Sequence, residues 1–374
     1  MKKVYLDNAA TTPIAPEVIA EMTRVMQEDF GNPSSTHSFG RQGKGVLELA
    51  RKSVAKAIGA LSQEIIFTSG GTESNNWVLR NVVVQLKVER IISSRIEHHA
   101  VLHVLEALQA EFKIKVDYVK VQPNGEIDVN HLVQLLSENK KTLVSLMHVN
   151  NEIGTVLDLA LVGRICKQHG AYFHSDTVQS VGKTLLNLQE LPVDFIVASA
   201  HKFHGPKGVG LLFVRKGIEM QPMLYGGEQE KGLRPGTESL HNIAGLTKAL
   251  ELSMSQLEVH QEYISSLKAY AVSQFEQHFP GYKINGNPDG FYNILNVQLP
   301  FSQDKTAMLL FHLDMKGIAV SRGSACQSGS AKPSHVLAEI LDEAAAQKPS
   351  LRISFSHFNA NEDIDYLVEQ LQSI

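Results

Sequence analysis

The chain has 374 residues, enough for two or three domains at about 150 residues each. Apolar residues make up 43% and charged residues 20%, with 35 basic against 39 acidic side chains and a formal net charge of −4. That balance excludes a polybasic binder of nucleic acid or anionic membrane, no apolar run approaches the ~20 residues of a membrane span, and two cysteines exclude a disulfide framework or an all-cysteine zinc site. After Met1-Lys2-Lys3, the run Val4-Tyr5-Leu6 stops at Asp7, so no secretory signal is expected and the reducing cytoplasm is the expected compartment.

Periodicity predicts a helix from Pro16 to about Gln27, with Val18, Ile19, Met22, Val25 and Met26 on one face, and a second over 45–58. A short strand follows at Glu64 to Thr68, then Gly70-Gly71 and a helix from about Glu73 to Leu86. Arg90 to Ser93 is a strand and Ala100 to Glu111 a helix. Further strands are expected at 116–121, 142–147, 171–174, 195–199 and 208–214, with a helix over 158–169 between two of them. The segment from His241 to about Phe279 reads as helix almost throughout. Beyond it come a strand at 293–298, a helix near 303–315, a strand at 318–321, a Gly/Ser-rich loop, a helix near 334–341, a strand at 351–354 and a C-terminal helix. Strands alternating with helices imply βαβ units. The expected architecture is an α/β fold whose large domain carries a mainly parallel, seven-stranded-type sheet between helices, beside a smaller α/β domain. The boundary falls within 250–257. No repeat or low-complexity block interrupts this order.

Several segments bear chemistry. SAHKFHGPKG (199–208) places Lys202 after an apolar strand and before glycines, where partial desolvation suits an amine to Schiff-base formation. A solvated loop lysine is the plainer reading. HSDTVQS (174–180) places Asp176 at a strand's carboxyl end, where ligands of open α/β sheets sit. A carboxylate there can pair with a protonated pyridine nitrogen, or simply cap the next helix. TSGGTES (68–74) lies between strand and helix. Gly71, Thr72 and the helix start form either a phosphate cradle or a tight turn. His98 in EHHAV (97–101) suits ring stacking, proton transfer or capping. Asn151 in HVNNEIG (148–154) is a polar donor or a turn former. No HExxH motif or tight His/Cys cluster suggests a metal.

Cys326 lies in SRGSACQSGSAKPS (321–334), of which nine of fourteen residues are Gly, Ala or Ser. With little to bury around it, an accessible thiol on a loop is expected. Cys166, within the 158–169 helix, reads as a packed, inert thiol. Arg352 in LRISFSHFN suits carboxylate binding or a surface ion pair.

In order, YLDNAATTP (5–13), FGNPSSTHSFG (30–40), TSGGTES, EHHAV, HVNNEIG, HSDTVQS, SAHKFHGPKG, YGGEQEKGLRPGTES (225–239) and SRGSACQSGS run along essentially the whole chain. This series resembles the NifS/IscS-type cysteine desulfurases, in the class V aminotransferase group of fold-type I pyridoxal 5′-phosphate (PLP) enzymes. The resemblance implies a large PLP-binding domain over 14–255, and a small domain formed by 1–13 with 256–374. It implies that Lys202 forms the Schiff base with PLP, Asp176 pairs with the pyridine nitrogen and Gln179 with the phenolic oxygen. His98 stacks on the ring and serves as acid/base. Gly71, Thr72, Ser199 and His201 serve the phosphate, and Thr237 reaches the phosphate site of the partner subunit in a homodimer. Asn151 contacts cofactor and, with Arg352, the substrate carboxylate, and Cys326 is the nucleophile. The implied reaction takes L-cysteine to L-alanine and leaves a persulfide on Cys326. A sulfur-acceptor protein of iron–sulfur assembly or tRNA thiolation then takes the sulfur.

The sequence departs from the family pattern at Glu228 in Gly227-Glu228-Gln229, at Pro235, and at Thr177-Val178. The sequence ends at Ile374, so the longer C-terminal tail of some members is not expected here. The competing readings are a selenocysteine lyase or other class V enzyme, and a non-catalytic sulfur-relay or assembly subunit on the same fold. A thiol at 326 is superfluous in a plain aminotransferase. Retention of Lys202, Asp176, His98 and Cys326 together argues against a non-catalytic relay.

Overall fold

The computed structural model describes residues 2–138, 140–323 and 334–374. Strand β1 (Val4–Tyr5) precedes helix α1 (Pro16–Glu28), which has Pro in its first turn, where a missing N–H costs no hydrogen bond. Helix α2 (Ser38–Ala57) begins seven residues earlier than the apolar period alone indicates. The His37 ring caps it by accepting from Gly40 N, and its first turn packs through glycines rather than large apolar side chains. Then come β2 (Ile65–Thr68), α3 (Gly71–Val84), β3 (Arg90–Ser93), α4 (His99–Phe112), β4 (Lys115–Tyr118), α5 (Val129–Leu136), β5 (Thr142–Ser145), α6 (Leu159–Gln168), β6 (Tyr172–Asp176), β7 (Phe195–Ser199) and β8 (Gly210–Val214).

These strands form one seven-stranded sheet in the order β2-β8-β7-β6-β5-β3-β4. All neighbours are parallel except β8, which runs antiparallel to β2 and β7. The β7–β8 connection is too short for a parallel crossover. Strands β2, β3, β5, β7 and β8 are buried along their whole length, as helices on both faces require. Alternation divides their side chains. Ile65, Phe67, Ile196, Ala198, Leu211 and Phe213 enter one core with α1, α2 and α6. Ile66, Phe195, Val197 and Leu212 enter the other, with Trp77 and Val78 of α3 and Val101 and Leu105 of α4. Cys166 of α6 is buried in the first core, and burial raises its thiol pKa.

The helical segment expected over 241–279 is two helices, α7 (Leu240–Ser255) and α8 (Leu257–His278), broken at Gln256. No Gly or Pro marks the break. Each half follows a different core: Ile243, Leu246 and Leu250 join the α1/α2 side of the large sheet, whereas Ile264, Leu267 and Phe275 pack elsewhere. That second core gathers β9 (Lys283–Ile284), β10 (Ile294–Gln298), α9 (Thr306–Met315), β11 (Ile318–Ala319) and, after α10 (His335–Ile340) and α11 (Glu343–Ala346), β12 (Ser350–Ser354) and α12 (Asn361–Gln372). Here β12-β10-β9 form an antiparallel sheet, and β1 pairs parallel with β11. Val4 and Leu6 therefore belong to the core built by the C-terminal third. On this division of side chains we propose two units, 14–255 and 1–13 with 256–374. Among the described residues, no helix is long and apolar enough to cross a membrane.

Candidate active site

Parallel strands place their carboxyl ends along one edge of the sheet, where open α/β folds bind ligands. Strand β6 ends there at Asp176, β7 at Ser199, and β2 leads into the Gly70-Gly71 turn. A cavity of about 230 Å³ opens at this edge. Ten residues singled out from the sequence reach it: Gly71, Thr72, His98, Asn151, Asp176, Gln179, Ser199, His201, Lys202 and Arg352.

Asp176 does not cap a helix; it is the last residue of β6. Asn75 Nδ2, from α3, donates to its Oδ2 at 2.7 Å, and Val178 N donates to its Oδ1 at 3.0 Å. Both bonds hold the buried carboxylate in one rotamer at the cavity wall. Lys202, just past β7, donates through Nζ to the carbonyls of Ala9 and Ala10 at 2.7 and 2.8 Å. The N-terminal segment thus reaches back to the lysine, and Thr12 N donates to His201 O at 2.9 Å. Gln179 Nε2 donates to the same Ala9 carbonyl at 2.8 Å.

Gly70 is the N-cap of α3, with φ of 150°, a conformation that favours glycine. Gly71 N donates to Ser199 Oγ at 2.7 Å. A Cβ on Gly71 would lie 2.6 Å from Val178 Cγ2 and 3.3 Å from Ser199 Oγ, so the turn closes tightly under the helix start. The start of α3, Thr72 and Ser199 line the cavity together, and a helix N-terminus is an environment that favours an anion. The His201 ring lies 3.1 Å from Thr11 Oγ1, and burial, then Lys202, lowers its pKa to about 4.

His98 caps α4: its Nδ1 accepts from Ala100 N at 3.0 Å, which places the neutral ring's proton on Nε2. Burial lowers its pKa, opposed by the Asp176 charge. The capping and cavity-wall positions are therefore the same residue's. Arg352, in the middle of β12, is 1% exposed. Its Nη1 donates to Asn151 O at 2.9 Å and its Nη2 to Asp7 Oδ1 at 2.7 Å, while Nε has no hydrogen-bond partner among the described residues. It is an ion pair, but a buried one at the cavity.

Thr237 is exposed and does not line this cavity. Cys326 lies outside the described residues. Glu228 is exposed, whereas Glu230, two residues on, is buried in a two-bond pair with Arg51, each contact 2.7 Å. Sequence reasoning missed Asn75, the Ala9 and Ala10 carbonyls, Glu97 and Lys183. Glu97 sits behind His98 with no exposed surface to speak of. It accepts from Ser94 Oγ and Met147 N, each at 2.9 Å, and burial raises its carboxyl to about 8.

An amine, a buried carboxylate, an arginine and the start of a helix line one cavity. The donor set fits PLP, and the fold is that of a fold-type I PLP-dependent enzyme. The chain belongs to the aminotransferase class-V family, whose model matches residues 4–367. Cysteine desulfurase IscS of Dictyoglomus turgidum is 42% identical over 378 residues, covering 100% of this chain and 94% of that protein. A solved NifS-like protein superposes with a TM-score of 0.91 at 36% identity, covering 100% of this chain and 99% of the other. The structure of SspA in complex with cysteine superposes at a TM-score of 0.84 and 30% identity, covering 96% of this chain and 100% of that one.

Proposed function

We propose that Lys202, Asp176, His98, Arg352 and Cys326 carry the chemistry of this chain, a PLP-dependent cysteine desulfurase. The observation that carries the reading is the meeting of Lys202 Nζ, the Asn75-held Asp176 carboxylate and the Arg352 guanidinium at one cavity. PLP, bound there, supplies a carbonyl carbon for amines and a sink for the electrons of a carbanion.

The protein's own groups do the rest. Gly71, Thr72, Ser199 and His201 would hold the phosphate, with Thr237 reaching the partner's phosphate site in a homodimer. Asp176 would hold the charge of the pyridine nitrogen, Gln179 would donate to the phenolic oxygen, and His98, which carries its proton on Nε2, would cover the ring. Asn151 and Arg352 bind the carboxylate of L-cysteine. Lys202 Nζ would take the substrate's α-proton. Cys326 thiolate attacks the substrate sulfur. The carbon–sulfur bond breaks with its electron pair left on the β-carbon, which takes a proton; the α-carbon takes back a proton from Lys202, and L-alanine departs. Cys326 keeps the sulfur as a persulfide, so no external oxidant is required. A sulfur-acceptor protein, of iron–sulfur cluster assembly or tRNA thiolation, then receives it in the cytoplasm.

Borohydride reduction of the PLP-loaded protein, followed by peptide mass mapping, tests the site. The cofactor mass is expected on the Lys202 peptide. Trapping on another lysine contradicts the assignment.

A further inference from the structure

Lys183 is a second amine beside the site, and unlike Lys202 it is buried. It is 8% exposed, on the turn after Gln179, and its Nζ lies 3.4 Å from Gln179 Oε1. Gly182 precedes it with φ of 75°, and a Cβ there would lie 2.9 Å from Phe203 Cβ, so the turn that aims Lys183 inward needs glycine. Its backbone is pinned from the other core: Gln261 Nε2 and Tyr292 Oη donate to Lys183 O at 2.9 and 3.0 Å.

We propose that Lys183 is a positioning residue for the cofactor: by donating to Gln179 Oε1, it turns the Gln179 carboxamide so that Nε2 faces the cavity. The proposal rests on the reading of Gln179 as the partner of the phenolic oxygen. Two contacts fix the amide. Lys183 requires an acceptor at one end, and the Ala9 carbonyl, 2.8 Å from Nε2, requires a donor at the other. A reversed amide would oppose oxygen to oxygen and N–H to amine. The surroundings are cationic or neutral. Lys202 and the rings of His201 and His204 feel its field, and His260 and His357 share a small cavity with it. Burial, then Lys202, lowers its pKa to about 7, so the ammonium form, a donor only, is present at and below neutral pH.

The test uses PLP-loaded protein and two readouts, cofactor dissociation and the pH midpoint of the bound cofactor's visible absorbance. Lys183→Met is expected to loosen PLP about three- to tenfold, the worth of one buried hydrogen bond. It should also move the midpoint in the same direction as Gln179→Leu. The double variant should be no worse than Gln179→Leu alone, because both act through one amide. Lys183→Gln, which keeps an N–H donor, should recover much of the loss. If Lys183→Met folds poorly, Lys183→Ala is read in the same way. An unmoved midpoint in the Lys183 variant, or effects that add in the double variant, overturns the inference. A Gln179→Leu spectrum identical to wild type overturns the reading of Gln179 itself.

Discussion

Arg352 offers the sharpest test of substrate recognition. Its guanidinium has five N–H donors, of which the structure engages one at Asn151 O and one at Asp7 Oδ1, leaving donors at the cavity. A substrate carboxylate taking two of these gains charge-assisted bonds of about 1.5–3 kcal/mol each. Arg352→Gln removes the charge and keeps a single amide donor. A net loss of about 3–4 kcal/mol follows, or a fall in kcat/KM of about 10²- to 10³-fold at 1.4 kcal/mol per decade. Arg352→Lys keeps a point charge without the planar fork, and a fall of about tenfold is expected. Alanine formation is followed against L-cysteine concentration, with the PLP absorbance and melting temperature of each variant as controls. Cysteamine, which lacks the carboxylate, provides the internal reference: wild type should prefer L-cysteine strongly, and Arg352→Gln should not. An unchanged KM for L-cysteine, or an unchanged preference over cysteamine, refutes the assignment.

Two further predictions concern stability. Burial pushes the Glu97 carboxyl from its ordinary value of 4.5 up to about 8, so the folded state holds its proton more tightly. Stability is then lost as pH rises from about 4.5 to about 8, and Glu97→Gln, which cannot ionise, escapes that loss. The melting temperature of Glu97→Gln relative to wild type is expected to rise steadily between about pH 5 and pH 8.5; a flat difference contradicts the buried, protonated carboxyl. Arg51→Met should cost about 3–5 kcal/mol in urea unfolding, because it leaves the Glu230 carboxylate buried with only Phe67 N as a donor. Adding Glu230→Leu should restore most of the loss, and no recovery would mean that packing, not charge, dominates there.

Much of this architecture was legible in the chain. The short apolar strands and the turns after them, at Gly70-Gly71, Asp176 and Lys202, follow from local pattern, and all three turns meet at one sheet edge. What was not legible is tertiary. Asn75 meets Asp176 across 101 positions, the Ala9 carbonyl meets Lys202 across 193, and Glu230 meets Arg51 across 179. No local period announces such contacts. The break at Gln256 escaped for a related reason, because both flanking helices are apolar on one side and only the change of packing partner separates them. Lys183 had a local signal, a Gly-Lys pair three residues after Gln179, but only burial gives it meaning.

The most direct test of the account is the release of alanine and sulfide from L-cysteine with a thiol reductant, comparing wild type with Cys326→Ala. Wild type is expected to turn over, while the variant keeps its yellow cofactor and releases no alanine. Equal turnover by the variant would contradict the account, because the sulfur would then leave without Cys326 as its acceptor.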